Sequence, residues 1–370
     1  MKTRWAAIAV AVIALAGCGE PYDTRADHHT IGKTSAASTA AVRSQTYRGG
    51  LDFPVDMAWV HGSKKVFFTE KSGRIRVLLG RKLVKRPCAR LSVNDGGERG
   101  LLGIALDPAF DDNHRLYVYY TNASPLENRV ARFVVRNNRC RNKKDIVTGL
   151  GASSGYHNGG QLEFIGRHLY VAVGEEHDPG LAQDTHSRLG KILRINGNGS
   201  IPRGNPFSSD NPESADPDPN PVWSYGHRNP FGLARRPGTK KLYETENGPS
   251  CDDEVNLIKK GRNYGWGENY QCGTSGVGDN PKGPLQRYSS VIVPTDPVWY
   301  EGRIKSLSGS LLMGDFNNGR LHELVLNSKG TRIKRDRTVF TADGGIVDVA
   351  KGPGGWVYYL TPSAIMRLTR

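Results

Sequence analysis

Four short segments of this 370-residue chain carry side chains able to do chemistry. The first is Tyr156-His157-Asn158-Gly159-Gly160. A histidine set among an amide and glycines leaves room for a ligand, and its ordinary pKa suits proton abstraction near neutrality. The second is Gly226-His227-Arg228-Asn229-Pro230, where Arg228 and Asn229 offer planar donors to carboxylate or carbonyl oxygens. The third runs from Glu246 to Glu254 and sets a Gly248-Pro249 turn beside acidic residues. Backbone carbonyls and carboxylates are hard oxygen ligands, suited to Ca²⁺ rather than to a transition metal. The fourth, Glu175-Glu176-His177-Asp178, has metal-binding residue types. Consecutive residues on a strand alternate faces, so it does not make one site. It reads as a loop in which Glu176 points at a ligand. The first three segments also have a plainer reading each: a histidine bonded to backbone, an arginine bridging two repeats, a solvated acidic turn.

Residues so far apart in sequence need a fold that brings loops together. A short β run rich in aromatic and β-branched residues recurs six times, at 66–69, 116–120, 169–173, 242–245, 311–314 and 357–360. A second run follows each, and most copies have a run before them; the fifth copy is the least regular. A repeat of about 50 residues built from short strands is a propeller blade. The chain therefore reads as all-β, a six-bladed β-propeller over 47–370, with the loops before the innermost strands converging on the central axis. The longer third and fourth intervals carry inserted loops. No sustained 3.6-residue periodicity supports an α/β alternative.

The N-terminus reads as an export signal. Lys2 and Arg4 precede an apolar run from Trp5 to Ala16, too short to span a bilayer comfortably. Leu15-Ala16-Gly17-Cys18 is the pattern of a lipoprotein cleavage site. The expectation is a signal peptide over 1–17, lipidation at Cys18, and a polar tether over 18–46 spacing an exported domain from the cell-envelope membrane. Four further cysteines suggest two disulfides in an exported chain. Cys251 with Cys272 is preferred because the two are close in sequence, leaving Cys88 with Cys140. The formal net charge of +15 reads first as a solvated surface, with adhesion to anionic envelope polymers or headgroups as the alternative. Membrane contact is expected only through the lipid anchor, and no aromatic-basic motif points to nucleic acid.

Together the motifs resemble the soluble quinoprotein glucose/sorbosone dehydrogenase family, which includes aldose sugar dehydrogenases. The resemblance rests on Glu98-Arg99-Gly100-Leu101-Leu102-Gly103, His157-Asn158-Gly159-Gly160, Gly190-Lys191-Ile192-Leu193-Arg194, Gly226-His227-Arg228-Asn229-Pro230, Asp253-Glu254-Val255-Asn256-Leu257-Ile258 and Asn263-Tyr264-Gly265-Trp266. It implies a propeller that binds pyrroloquinoline quinone (PQQ) and Ca²⁺ at its axis and oxidises the C1 hydroxyl of an aldose, passing electrons to an external acceptor. His157 would take the hydroxyl proton. Arg228 and Asn229 would contact the cofactor, with Glu98 and Glu176 as further candidates. Gly248 and Pro249 carbonyls would hold the catalytic Ca²⁺, and Glu254 and Tyr264 a second, structural one. The chain departs from the family pattern in its last blade. Gly345-Ile346-Val347 stands where an Arg-x-Arg segment is expected, and Asn317 or Asn318 stands where a lysine is expected. Arg99, Arg303 and Lys305, read as lying near blade entrances, are candidates to replace those charges.

Two other readings remain open from sequence. One is a non-catalytic binding propeller that has lost the quinone. The other is a Ca²⁺-dependent lactonase, which the mainly backbone character of the Gly248-Pro249 turn argues against.

Overall fold

The computed structural model describes residues 42–211 and 218–369. The signal peptide, Cys18 and most of the expected tether lie outside the described residues. The described chain is all-β with a propeller-like arrangement. Its first three antiparallel units have innermost strands Pro54–Trp59, Leu101–Leu106 and Leu162–Ile165, and a fourth has Pro230–Arg235. Each is four strands deep; in the first unit the outermost strand is broken into Lys82–Leu83 and Ala89–Arg90. The remaining sheet has eight strands, but it is two antiparallel runs of four, anchored on Pro294–Tyr300 and Asp348–Lys351. One parallel residue pair, Asp296 with Asp348, joins them.

The second strand of each unit is largely buried. Lys65–Glu70, Leu242–Glu246 and Ser310–Asp315 are almost wholly inaccessible. Both faces are covered because the units stack face to face, so burial runs along these strands without alternating, and the polar side chains they carry, such as Glu70, Glu244 and Asp315, are buried too. Among the described residues, six apolar clusters sit one between each pair of consecutive units. The sixth, with Met57, Phe68, Tyr358 and Leu360, joins the last unit to the first and closes the ring.

Two boundaries differ from the sequence reading. Arg43–Gly49 is already a strand, paired with Ala364–Thr369 as the outermost strand of the last unit. Its first four residues read as tether because an edge strand needs backbone pairing and not apolar side chains. In the fifth unit, Pro294–Tyr300 supplies the missing innermost strand. Pro294 and Pro297 hide it in the sequence, since proline donates nothing to a ladder. The register shift between them absorbs the mismatch.

The axis is tied by three buried aspartates. Asp56 accepts the Ile104 N–H at 2.6 Å, Asp348 the Met57 N–H at 3.1 Å and Asp296 the Leu233 N–H at 2.9 Å. Each bond links innermost strands of different units. Both expected disulfides are present: Cys88–Cys140 joins the first and second units, and Cys251–Cys272 closes a loop of the fourth.

Candidate active site

His157 lies in the loop before the innermost strand of the third unit, with a left-handed backbone at φ 51. Its N–H donates to Glu98 Oε2 at 2.8 Å. Its ring Nδ1 sits 2.9 Å from both carboxylate oxygens of Glu175, a residue with 0% exposure. A carboxylate at Nδ1 sets that nitrogen as the donor and leaves Nε2 with a free lone pair. Nε2 has no protein partner among the described residues. Glu175 is held in turn by the Trp266 Nε1–H at 3.3 Å and by the backbone N–H of His177. Gly174 permits this approach, because a Cβ there would run into the His157 carbonyl.

Glu175, and not Glu176, is therefore the carboxylate of this segment that meets the site. The Glu176 carboxylate accepts from the backbone and hydroxyl of Ser153 and ties down the neighbouring loop. The choice of Glu176 fails because Glu176 and His177 are not extended, with φ values of 63 and 65, and the turn they make carries the Glu176 carboxylate to Ser153.

The fourth unit approaches from the other side. Asn229 donates to Glu98 Oε2 at 3.1 Å and accepts the Gly159 N–H at 3.1 Å, so Glu98 and Asn229 together fix the His157 loop. Arg228 lies 5.2 Å from the Trp266 ring centroid and donates through Nη1 to the carbonyls of Asn247 (2.9 Å) and Gly248 (2.8 Å). Burial pushes its pKa down, against the charges of Glu175, Glu98 and Glu246. The Gly248 N–H is anchored on Asp253 at 2.8 Å.

Arg228, Asn247, Gly248, Pro249, Glu254, Tyr264 and Trp266 line one small cavity. Two buried atoms there lack partners, the donor Arg228 Nε and the acceptor Asn247 Oδ1. Leaving such groups unmade costs free energy unless a ligand completes them. Arg228 Nε matches an oxygen-rich ligand such as a quinone and Asn247 Oδ1 a hard cation such as Ca²⁺. The Asn247 and Gly248 carbonyls accept from Arg228 here, so a cation would take them only with the guanidinium turned away.

The expected second metal position is also oxygen-rich. Burial, then the charge of Glu246, raises Glu254 to about 8. His227, Glu244 and Glu246 bring ligand atoms within 4.8 Å of one another, and neither Glu244 oxygen has a hydrogen-bond partner. The Tyr264 hydroxyl is already used, donating to the Leu257 carbonyl at 2.6 Å and accepting the Lys259 N–H at 2.9 Å.

The departures from the family pattern are visible in space. Gly345 faces Phe316, whose ring would lie 2.6 Å from a Cβ there, and Ile346 and Val347 are buried in apolar clusters. Asn317 and Asn318 spend their amides on Val291 and Asp315. Arg303 and Lys305 do not compensate. They belong to the connection between Pro294–Tyr300 and Ser310–Asp315, at the end of those strands remote from the His157 face. Their neighbourhood in sequence hid this, because strand direction decides which end a loop occupies. Arg99 does lie on the His157 side, donating to the Gly96 and Ala152 carbonyls.

Comparison with known proteins agrees with this geometry. The glucose/sorbosone dehydrogenase family profile matches residues 51–370. The chain belongs to that family. Glucose/sorbosone dehydrogenase relatives include the aldose sugar dehydrogenase YliI of Escherichia coli K12, 29% identical over 352 residues, which are 88% of this chain and 91% of that protein. Among solved structures, a putative glucose dehydrogenase from Thermus thermophilus superposes with a TM-score of 0.78 at 33% identity, covering 89% of this chain and all of that one (100%). The PQQ-bound aldose sugar dehydrogenase of Streptomyces coelicolor gives 0.75 at 29% identity, covering 90% and 99%. Membership makes this chain a sugar oxidoreductase in general terms.

Proposed function

We propose that the chain oxidises the C1 hydroxyl of an aldose to the lactone with PQQ and Ca²⁺, and that the six four-stranded units are six propeller blades. The observation that carries the proposal is the His157–Glu175 pair with Nε2 unpartnered. A base for a sugar hydroxyl needs one open nitrogen and a second one held in a fixed tautomer. Nε2 takes the hydroxyl proton, and Glu175 stabilises the imidazolium that results. Glu98 and Asn229 hold the loop so that Nε2 keeps its direction. Trp266 closes over Glu175 and Arg228 and keeps water from both. Gly248, Pro249 and the Asn247 side chain would hold Ca²⁺, with Arg228 turned toward the cofactor. When bound, the quinone polarised by Ca²⁺ supplies the hydride acceptor for the C1–H electron pair. An external acceptor then takes the electrons.

Purified full-length chain is titrated with PQQ and Ca²⁺, following quinone absorbance, and then given aldoses with a reducible dye. Saturable binding and aldose-dependent dye reduction are expected; absence of both ends the reading. A second reading, a binding propeller without turnover, is favoured by the apolar packing of Gly345, Phe316 and Val347. It predicts ligand binding that survives His157→Ala and no dye reduction by either form. For the N-terminus we propose export and lipidation at Cys18, which incorporation of a labelled fatty acid into the wild type and not into a Cys18→Ser variant would support.

A further inference from the structure

The outer edge of the first two units carries a block of positive charge that the site does not use. Segments 81–90 and 136–144 each hold five Lys or Arg and no Asp or Glu. The Cys88–Cys140 disulfide clamps them together, and the Cys140 N–H donates to the Cys88 carbonyl at 2.9 Å. Arg139 adds a bond to the Pro87 carbonyl at 2.6 Å. Around this clamp Arg86, Arg90, Arg139 and Arg141 line a cleft of ≈ 460 Å³ with no acidic side chain in its wall. Within the two segments only Lys143 has a carboxylate partner, Asp145, among the described residues. Desolvation, then the charges of Arg86 and Arg141, push the Arg139 pKa down.

One other basic run is partly neutralised. In Ile333–Thr341 of the fifth unit, Arg335 and Arg337 pair with Glu323. Uncompensated like charge works against a compact fold. Here a covalent bond holds the repelling segments side by side, and their exposed arginines face solvent.

We propose that this block docks the domain onto an anionic membrane surface. It is spread over two units around a shallow cleft, which suits a plane of many phosphates better than one small anion. Its position also favours a membrane. Arg81 donates to the Thr46 and Tyr47 carbonyls, both at 3.1 Å, so the chain enters the domain beside one end of the block. Upstream lies Cys18, the residue expected to carry the lipid. A lipid there would keep the domain within reach of anionic headgroups.

The test is co-sedimentation of the full-length chain with vesicles of phosphatidylcholine alone or with phosphatidylglycerol added. Each Lys or Arg near an anionic surface contributes roughly five-fold to binding. Arg86→Gln/Arg90→Gln/Arg141→Gln, at three exposed positions, should weaken binding to the anionic vesicles by roughly 100-fold and leave binding to neutral ones unchanged. Its melting temperature should hold or rise, showing a folded domain. Arg332→Gln/Lys334→Gln should behave like wild type, and salt near ~1 M should abolish the anionic preference. Equal binding to both vesicle types, or a triple variant that binds as wild type, overturns the proposal. So does tight binding to a soluble polyanion such as heparin without binding to anionic vesicles.

Discussion

Two histidines in this chain meet a glutamate in the same topological setting, and they are left in different states. His157 precedes the innermost strand of the third unit and pairs through Nδ1 with Glu175, just past the second strand. His227 precedes the innermost strand of the fourth unit and pairs through Nδ1 with Glu246, at the end of the second strand, at 3.0 Å. The difference is the other nitrogen. His227 Nε2 is 2.9 Å from Ser224 Oγ, and the ring stacks on Tyr264 at 4.7 Å and is fully buried (0%). His157 Nε2 has no such partner, and the ring keeps 6% exposure. The repeat thus supplies the same pair twice. A single hydroxyl turns one copy into a structural joint, and its absence leaves the other free to accept a proton.

Substitutions separate the two copies. His157→Gln should lower kcat about 10³-fold, within the usual range for a positioned base, with the melting temperature nearly unchanged. Glu175→Gln should cost about 10²-fold in kcat with KM held, because the amide no longer stabilises the imidazolium. As a positioning residue it should also shift the pH–rate profile, which a purely structural role would leave alone.

A third histidine shows the charged extreme. His322 lies between Asp336 (3.0 Å) and Asp315 (3.4 Å). Burial works to lower its pKa, but the hydrogen bonds to both aspartates prevail and raise it to about 9. The folded pKa is above the unfolded one, so its stabilisation is complete below about pH 6.5 and lost as the pH rises through about 9. Wild type should exceed His322→Gln by roughly 2–3 kcal/mol in urea unfolding at pH 6 and by little at pH 10. His227→Gln should lower stability by about 1–3 kcal/mol, since it strands Glu246 and Ser224, while kcat of the folded protein stays within a few-fold of wild type.

The axial aspartates are carboxylates buried without a histidine. Burial raises Asp56 to about 7 and, with the charges of Asp348 and Asp56, raises Asp296 well above the usual range. A raised carboxylate favours the fold while protonated, so stability falls as pH climbs from about 4 toward neutrality. Asp296→Asn should therefore raise unfolding free energy by about 1 kcal/mol at pH 8 and by little at pH 4.

Much of this was legible in the sequence. The six recurring runs mark the second strand of each unit, which is largely buried because stacking between units covers both faces. His157, Arg228 and Gly248 stand in strings whose types already limit the chemistry, and both disulfides follow from cysteine count and separation. Glu175 was not legible. Choosing it over Glu176 depends on two left-handed residues that no residue type at those positions announces. The pairing of Glu98 with Asn229, 131 residues on, needs the closed ring. The misplacement of Arg303 and Lys305 has the same root, because sequence proximity to a strand does not say which end of it a loop occupies. A signal for Glu175 did exist: an acidic residue at or just past the end of the second strand recurs as Glu246, with a histidine ahead of the innermost strand in both units.

The central claim is that the open histidine works and the capped one does not. The direct measurement is aldose-dependent dye reduction by full-length wild type, His157→Gln and His227→Gln, each supplied with PQQ and Ca²⁺. Wild type and His227→Gln should turn over at similar rates per folded molecule, and His157→Gln should be slower by about 10³-fold. Turnover by His157→Gln at the wild-type rate would contradict the account.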